Sequence, residues 1–212
     1  MSKEDNLIKN KITTEALSDL PLQHYTGEIV VVEDGTDMYK VIEAINGEKV
    51  LGFDTETRPS FKKGKANMVS LIQLSTSKST FLIRTNKTGM CNELLELLSN
   101  QEIKKVGVGI RDDIRGLQKI KDFNPGGFIE LQSMALEKGL KDFSLKKLAG
   151  ILLDIRVSKR QRLSNWEADE LTHAQMIYAA TDSWVALKIF KKLNELDESQ
   201  IVDVDPSTNI DA

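Results

Sequence analysis

The order of the predicted strands and helices indicates an α/β or α+β domain around a mixed sheet. Apolar runs rich in β-branched residues predict strands at 28–33 and 50–57 and a two-stranded hairpin over 68–83. Beyond the hairpin, strands alternate with helices before the chain ends in helices. Hairpins pair strands antiparallel and alternation favours parallel pairing, so a sheet of both kinds with flanking helices is expected.

Local signals predict the other elements. Thr36 or Asp37 can cap a helix that ends near Ile45, with Gly47 as its stop. Ser144 can cap a helix over 145–152. The remaining predictions are a helix over 93–98, a strand over 105–109, a helix over 111–120, a turn at 124–127, a short strand over 128–131, helical pieces around 133–138, and a last long helix that Thr172 caps and that ends near Leu196.

Composition divides the chain into three parts. Residues 1–24 are polar and are expected to form a loose arm with one short helix. Residues 25–196 carry the pattern of strands and helices and are predicted to be the folded domain. Residues 197–212 are acidic and polar and are expected to be a disordered tail.

Length, charge and the number of cysteines and histidines limit the class of protein to which this chain can belong. A chain of 212 residues suits one domain, and a net charge of −3 gives no global positive field, so a nucleic-acid partner would need a local basic patch or metal ions. Cys91 is the only cysteine, which excludes an internal disulfide, and two histidines with one cysteine argue against a zinc site. The polar N-terminus and the lack of a long apolar run predict a cytoplasmic location without a membrane partner.

The predicted strand at 50–57 ends in two carboxylates, Asp54 and Glu56. Residues two apart on a strand point to the same face, so the two acids would lie side by side where a buried strand meets solvent. Like charges this close raise each other's pKa, and a divalent cation would offset the repulsion. An ordinary strand end with two solvated acids gives the same pattern, so this strand alone does not distinguish a metal site from a solvated strand end.

Asp112 and Asp113 lie in the first turn of the helix predicted over 111–120, where acids are favoured by the helix dipole whether or not they have a function. Only one of them can face the core. Asp113 shares its face with Leu117, so we assign Asp113 to the inner face and Asp112 to solvent.

The last helix carries Tyr178 and Asp182, which are four residues apart and share one face. Two small residues between them, Ala179 and Ala180, would let this helix pack closely against another element. A partly buried tyrosine beside a surface aspartate would produce the same spacing.

Two basic segments lie near the acids in sequence. One is the loop at 58–66, which contains Lys62-Lys63-Gly64-Lys65, and the other runs from Lys159 to Arg162 and ends near Trp166. These residues could contact phosphates and stack a base, or they could be solvated loops around a core tryptophan.

A dinucleotide-binding site is the competing interpretation of Gly107-x-Gly109 after a strand, with Glu130 about twenty residues later. Asp112 stands where the third glycine of that fingerprint belongs, and its charge would repel a pyrophosphate. The pattern therefore does not favour a dinucleotide.

The motifs form an order that a known family shares: Phe53-Asp54-Thr55-Glu56, then Val108-Gly109-Ile110-x-x-Asp113, then Tyr178-x-x-x-Asp182. This order resembles the tyrosine-type branch of the DEDD 3′→5′ exonucleases, which have an RNase H-like fold. Leu71-Ile72-Gln73-Leu74 is similar to the second strand of that family. The stretch from Lys159 to Asp182 resembles the exonuclease domain of the Werner syndrome type and, more loosely, RNase D. The resemblance covers residues 28–194.

The resemblance implies that residues 25–196 are an exonuclease domain that releases nucleoside 5′-monophosphates from a 3′ end. Asp54, Glu56, Asp113 and Asp182 would hold two Mg²⁺ or Mn²⁺ ions. Tyr178 would orient the attacking water, because an unperturbed tyrosine with a pKa near about 10 is a poor base at neutral pH.

The resemblance also implies a nucleic acid with a free 3′ end as the partner, with DNA favoured over RNA. The candidate substrate contacts are Thr55, Thr57, Lys159, Asn165 and Trp166. Two departures from the family stand out: Ser133 occupies a position where many members carry aspartate, and the loop at 58–66 is longer than usual.

Two other functions fit the same residues. One is a nucleic-acid-binding module that has kept the fold without catalysis, and the other is a phosphodiesterase specific for short oligonucleotides. The presence of all four acids and the tyrosine favours an active site over the binding module.

Overall fold

A six-stranded mixed sheet forms the centre of the molecule, which we describe from a computed structural model covering residues 7–60, 62, 64 and 67–203. Its strands are β2 (Glu28–Val32), β3 (Val50–Thr57), β4 (Val69–Ser75), β5 (Ser79–Ile83), β6 (Lys104–Gly107) and β7 (Phe128–Glu130). Their spatial order is β2-β5-β4-β3-β6-β7. β3, β4 and β5 pair antiparallel, whereas β2 pairs parallel with β5 and β6 pairs parallel with both β3 and β7.

Helices cover both faces of this sheet. In chain order they are α1 (Thr14–Asp19), α2 (Met38–Ala44), α3 (Thr85–Thr88), α4 (Asn92–Ser99), α5 (Ile110–Gln118), α6 (Leu131–Glu137), α7 (Leu145–Leu153) and α8 (His173–Glu195). Short 3₁₀ turns lie at Gly35–Asp37 and Glu198–Gln200. The predicted α/β domain with a mixed sheet and flanking helices is therefore confirmed.

Each face of the sheet has its own apolar core. On one face, Phe53 of β3 and Ile72 of β4 are buried with Leu94 of α4 and Leu117 of α5. On the other face, α6, α7 and α8 pack over β6, and the residues around Trp166 pack over β4 and β5. Because strand residues alternate between faces, the apolar side of β3 faces α4 and α5 while the acids of β3 face α8.

The capping residues predicted for α7 and α8 occupy the expected positions, whereas neither Thr36 nor Asp37 caps α2 with its side chain and Asp34 caps the preceding 3₁₀ turn instead. The Ser144 side chain accepts a hydrogen bond from the Lys147 backbone N–H at the start of α7. Thr172 and Gln175 form a reciprocal capping box at the start of α8, so this long helix begins at a fixed residue. Tyr178 and Asp182 both lie beyond that first turn.

Both ends of the chain differ from the sequence prediction within the described residues. A short strand β1 (Ile8–Lys9) pairs parallel with β8 (Ile201–Val202), so residues predicted as a loose arm and a disordered tail form a two-stranded sheet. The short helix predicted in the arm is present as α1, and its Leu17 is buried against Gly150 of α7. The prediction of a loose arm was wrong because it rested on the overall polarity of the segment, which also contains scattered apolar side chains. Residues 1–6 and 204–212 lie outside the described part of the chain.

Among the described residues, no helix is both long enough and apolar enough to cross a membrane.

Candidate active site

The first two acids lie at the end of β3 and on the face that α8 covers. Asp54 and Glu56 share this face with Gly52, where a Cβ would lie 1.9 Å from the carbonyl oxygen of Ser183 in α8. The helix backbone therefore packs directly on the strand. This close approach brings α8 to the two acids.

α8 supplies the third acid and the tyrosine. Asp182 lies one residue before Ser183 and is only 7% exposed. Ligand oxygens of Asp54, Glu56 and Asp182 lie within 4.8 Å of one another. The Tyr178 hydroxyl acts on the Asp182 carboxylate and lowers the pKa of Asp182, which favours its ionised form. Ala179 and Ala180 are fully buried, which agrees with their predicted role in close packing.

Asp113 approaches from the other side of the sheet, on the first turn of α5. Its carboxylate accepts a hydrogen bond of 2.5 Å from the Thr55 hydroxyl. Asp112 points to solvent, where its side chain is 89% exposed and pairs with Arg115. The structure thus orients these two aspartates as predicted, and it places Asp113 beside the trio of Asp54, Glu56 and Asp182 but outside it.

Burial raises the pKa values of all four acids, and the charges of neighbouring site acids raise those of Asp54 and Glu56 further. Burial raises the pKa of Glu56 to about 9, that of Asp182 to about 7 and that of Asp113 to about 6. The pKa of Asp54 lies well above its usual range because of burial and then the charges of Asp182, Asp113 and Glu56. Two nearby cations oppose these shifts, Arg162 at Glu56 and Lys159 at Asp182.

The chemistry of this trio fits a divalent cation. Three carboxylate oxygens converge within coordination range of a common point, and hard divalent cations take oxygen ligands of this kind. Without a cation, neighbouring buried acids cannot all ionise at neutral pH, as the raised pKa values show. The prediction of a metal centre at Asp54, Glu56 and Asp182 is therefore consistent with the geometry.

A cavity of about 360 Å³ opens beside the acids. Asp54, Tyr178 and Asp182 line it together with Lys159 and Arg162. The predicted phosphate contact Lys159 thus shares one cavity with the acids. Of the two predicted threonine contacts, Thr55 donates its hydroxyl hydrogen bond to Asp113, and Thr57 is half-buried at the end of β3.

The other two predicted substrate contacts are placed differently. Trp166 is fully buried among Leu71, Leu82 and Ala179, so its ring cannot stack on a base as predicted. Its ring centroid lies 6.0 Å from that of Tyr178, so Trp166 supports the tyrosine instead. Asn165 is exposed, but its backbone carbonyl accepts a hydrogen bond from Gln175 of the α8 cap.

Comparisons with known proteins identify the family. A family model described as 3′-5′ exonuclease matches residues 29–197, which is most of the chain. The chain belongs to the 3′-5′ exonuclease family. The prediction of a 3′→5′ exonuclease family is therefore confirmed.

Two curated relatives are much longer than the region that this chain matches. The bifunctional 3′-5′ exonuclease/ATP-dependent helicase WRN of Mus musculus is 35% identical over 191 residues, which cover 85% of this chain and 14% of the mouse protein. Human exonuclease 3′-5′ domain-containing protein 2 is 34% identical over 157 residues, which cover 68% of this chain and 25% of the human protein. The chain thus spans a quarter or less of these two relatives.

Solved structures share the fold. The EXO domain of Aedes aegypti Nibbler superposes with a TM-score of 0.74 at 21% identity, covering 84% of this chain and 96% of that one. Escherichia coli RNase D superposes with a TM-score of 0.72 at 21% identity, covering 81% of this chain and 45% of that one. The predicted RNase H-like exonuclease fold is confirmed by these neighbours.

Two further residues position the site in this exonuclease-family protein, and the sequence did not predict this role for either of them. The Glu130 carboxylate accepts hydrogen bonds from the backbone N–H groups of Gly109 and Ile110 at 2.9 and 3.0 Å. It therefore holds the start of α5, which carries Asp113, and it occupies the helix end where a pyrophosphate would have to bind. The dinucleotide interpretation, which gave Glu130 a different role, is wrong.

Arg84 is the second missed residue. Its guanidinium is fully buried, pairs with Glu33 at 2.5 Å and donates to the carbonyl oxygens of Ala168 and Asp169. It thus fixes the loop that carries Trp166 and leads to α8. The sequence feature that could have identified Arg84 is its position at the end of an apolar strand.

We predict that metal-free protein becomes less stable as pH rises from about 4 to 9. The site acids have higher pKa values folded than unfolded, so the folded state binds more protons in this range and the free energy of unfolding falls with pH. Asp182→Asn removes one charge and keeps an acceptor for Tyr178. It should raise the melting temperature in EDTA by on the order of 5 °C at pH 8 and by less at pH 5.

Asp112→Asn is the matched control, because it removes a charge from an exposed aspartate. It should leave the melting temperature unchanged at both pH 8 and pH 5. An Asp182→Asn protein that melts at the parental temperature at both pH values would contradict the proposed repulsion.

Proposed function

We propose that this protein is a metal-dependent 3′→5′ exonuclease of the tyrosine type, which releases nucleoside 5′-monophosphates from the 3′ end of a nucleic acid. The observation that carries the proposal is the convergence of Asp54, Glu56 and Asp182 within 4.8 Å, with Tyr178 lining the same cavity as Asp182. Membership of the 3′-5′ exonuclease family supports the reaction class.

Two divalent cations, Mg²⁺ or Mn²⁺, are the proposed cofactors. Asp54, Glu56 and Asp182 would hold them, and Asp113 would join from α5. When bound, such cations activate water and offset the charge that develops on a phosphodiester during hydrolysis. Their charge would also allow all four acids to ionise at neutral pH.

Tyr178 holds a proton rather than accepting one. Burial and the charge of Asp182 raise the pKa of Tyr178 above its ordinary value, so its hydroxyl stays protonated at any working pH. A protonated phenol can donate a hydrogen bond and orient a water molecule, but it cannot take the proton of that water. The proposed role is therefore orientation of the nucleophile, with the Tyr178 ring held in place by its contact with Trp166.

Lys159 and Arg162 supply the positive side of the same cavity. In the structure their charges act on Asp182 and Glu56, respectively. A substrate phosphate between these cations and the acids would meet the lysine and the arginine on one side. These two residues would thus bind and orient the phosphodiester, although the whole chain carries a net charge of −3.

DNA with a free 3′ end is the proposed substrate, as the sequence resemblance favoured. The names of similar proteins refer to both DNA and RNA: one relative is DNA polymerase I of Aquifex aeolicus, and one structural neighbour is described as an exoribonuclease. Matched DNA and RNA strands of one sequence, labelled at the 5′ end, test the choice directly. The proposed location remains the cytoplasm.

The function test is digestion of these labelled strands with Mg²⁺, with Mn²⁺ and with EDTA. The parent should shorten the strand one nucleotide at a time from the 3′ end when metal is present. Asp113→Asn should lower the rate by on the order of 10²-fold or more, as expected when a group that holds the catalytic charge is lost. Asp112→Asn is the control and should retain the parental rate.

Other outcomes favour other functions. Tight binding of the strand without shortening in either metal would indicate a non-catalytic binding module. Digestion of di- and trinucleotides but not of a 20-mer would indicate an oligonucleotide-specific phosphodiesterase. Loss of activity in Asp112→Asn but not in Asp113→Asn would contradict the assigned site.

We predict that Tyr178→Phe slows hydrolysis on the order of 10²-fold, because the water loses its hydrogen-bond partner. Phenylalanine keeps the ring that packs on Trp166, so folding and substrate KM should stay within about twofold of the parent. Single-turnover cleavage with saturating Mn²⁺ measures the chemical step. A rate equal to the parent would make Tyr178 a packing residue.

A further inference from the structure

Gln73 is a fully buried glutamine in the middle of β4. Neither the nitrogen nor the oxygen of its side-chain amide has a hydrogen-bond partner among the described residues. A buried amide without a partner destabilises a fold, because it has lost its hydrogen bonds to water and gained none in return. An unpaired amide at this depth therefore calls for a partner that joins it in another state of the protein.

The neighbours of Gln73 along β4 show which face of the sheet it occupies. Leu71, two residues earlier, packs with Ala179 of α8. Ser75, two residues later, shares a hydrogen bond of 2.7 Å with the Ser183 hydroxyl of α8. Because residues two apart on a strand point to the same face, Gln73 lies between these contacts on the face that α8 covers.

Asp54 is the residue directly opposite Gln73 on the neighbouring strand β3. Opposite residues of an antiparallel pair share one face, and their Cβ atoms lie about 4.5–5.5 Å apart. A glutamine side chain is long enough to reach an aspartate carboxylate across this distance. On the other side of Gln73, the opposite residue in β5 is Leu82, which has no polar side-chain atom. Asp54 is therefore the polar cross-strand neighbour of Gln73.

The Asp54 carboxylate has room for a further donor. One of its oxygens accepts a hydrogen bond of 2.9 Å from the backbone N–H of Thr55. An ionised carboxylate offers about four acceptor positions on its two oxygens, so a cation and a second hydrogen bond can share it with Thr55. Carboxylates that hold metal ions are in general held in turn by hydrogen bonds from residues behind them.

We propose that Gln73 is a positioning residue, whose side-chain amide donates a hydrogen bond to the Asp54 carboxylate in the cation-loaded protein. This bond would fix the orientation of Asp54 as a ligand. The proposal rests on the cation site of the proposed function and adds a residue that supports this site from inside the sheet. The unpaired amide then lowers the stability of the metal-free fold in exchange for an oriented ligand.

The test replaces Gln73 by methionine, which has a similar length and shape but no amide. In calorimetric titrations at pH 7, Gln73→Met should bind Mn²⁺ on the order of 10- to 100-fold more weakly than the parent. Its melting temperature in EDTA should rise by on the order of 3 °C, because a buried amide without a partner has been removed. A glutamine with only a structural role would not give weaker metal binding together with higher stability.

Hydrolysis provides a second measurement of the same effect. The Mn²⁺ concentration that gives half the maximal rate should rise in Gln73→Met by the same factor as the dissociation constant. KM for labelled dT₁₂ at saturating Mn²⁺ should stay within about twofold of the parent, because a fully buried side chain cannot touch the strand.

Thr80→Val is the matched control, since it also replaces a buried polar side chain on this face of the sheet. The Thr80 hydroxyl already shares a hydrogen bond of 2.7 Å with Ser75, so its loss should lower the melting temperature in EDTA. The affinity of this variant for Mn²⁺ should remain within about twofold of the parent. An equal loss of affinity in Thr80→Val and Gln73→Met would overturn the proposal, because any disturbance of the sheet would then weaken the site.

Two results for Gln73→Met itself would also overturn the proposal. One is an affinity for Mn²⁺ equal to that of the parent. The other is a melting temperature in EDTA below that of the parent, because the amide would then be bonded within the metal-free fold. The Trp166 indole N–H, which also has no partner among the described residues, would be the candidate for that bond.

Failure of the proposed function gives a different result from failure of this proposal. A parent that binds Mn²⁺ but shortens no strand would contradict the nuclease function, while calorimetry would still decide the role of Gln73. A parent that binds no Mn²⁺ would overturn the cation site and this proposal with it. Parental affinity in Gln73→Met, in a protein that binds Mn²⁺ and hydrolyses dT₁₂, would overturn the role of Gln73 alone.

Discussion

The close packing of α8 on β3 at Gly52 is the contact on which the rest of the site depends. Any side chain at Gly52 would collide with the Ser183 carbonyl oxygen, so only glycine lets the helix backbone reach the strand. That approach places Asp182 against Asp54 and Glu56 in a buried position, where the three carboxylates repel one another. The fold thus holds together charges that would separate if they were free, and it does so through packing of apolar and small residues elsewhere in α8.

Surrounding residues fix each acid in this crowded arrangement. Glu130 holds the start of α5 and with it Asp113, and Thr55 binds the Asp113 carboxylate directly. Arg84 fixes the loop before α8, and Trp166 in that loop packs beside Tyr178. These contacts are made by the protein before any cation or substrate binds, so the site is organised in advance of the reaction.

Local patterns predicted most of the fold and the orientation of the acids, whereas the order of motifs shared with the exonuclease family identified these acids as a site. Strand alternation placed Asp54 beside Glu56, helical spacing oriented Asp113, and the Thr172 cap located α8. What failed depends on contacts between distant parts of the chain. β1 pairs with β8 across nearly the whole sequence, and Trp166 is buried by strands β4 and β5, so no local pattern around these residues reports their surroundings.

The central claim is that buried, partly protonated carboxylates form a cation site. The most direct measurement is calorimetric titration of Mn²⁺ into metal-free protein at pH 7, in two buffers with different ionisation enthalpies. Metal ligands must be deprotonated, the pKa values of Glu56 and Asp182 lie at about 9 and about 7, and burial also raises that of Asp54, so binding should release more than one proton per protein. Mn²⁺ binding without proton release, or no binding at millimolar Mn²⁺, would contradict the account.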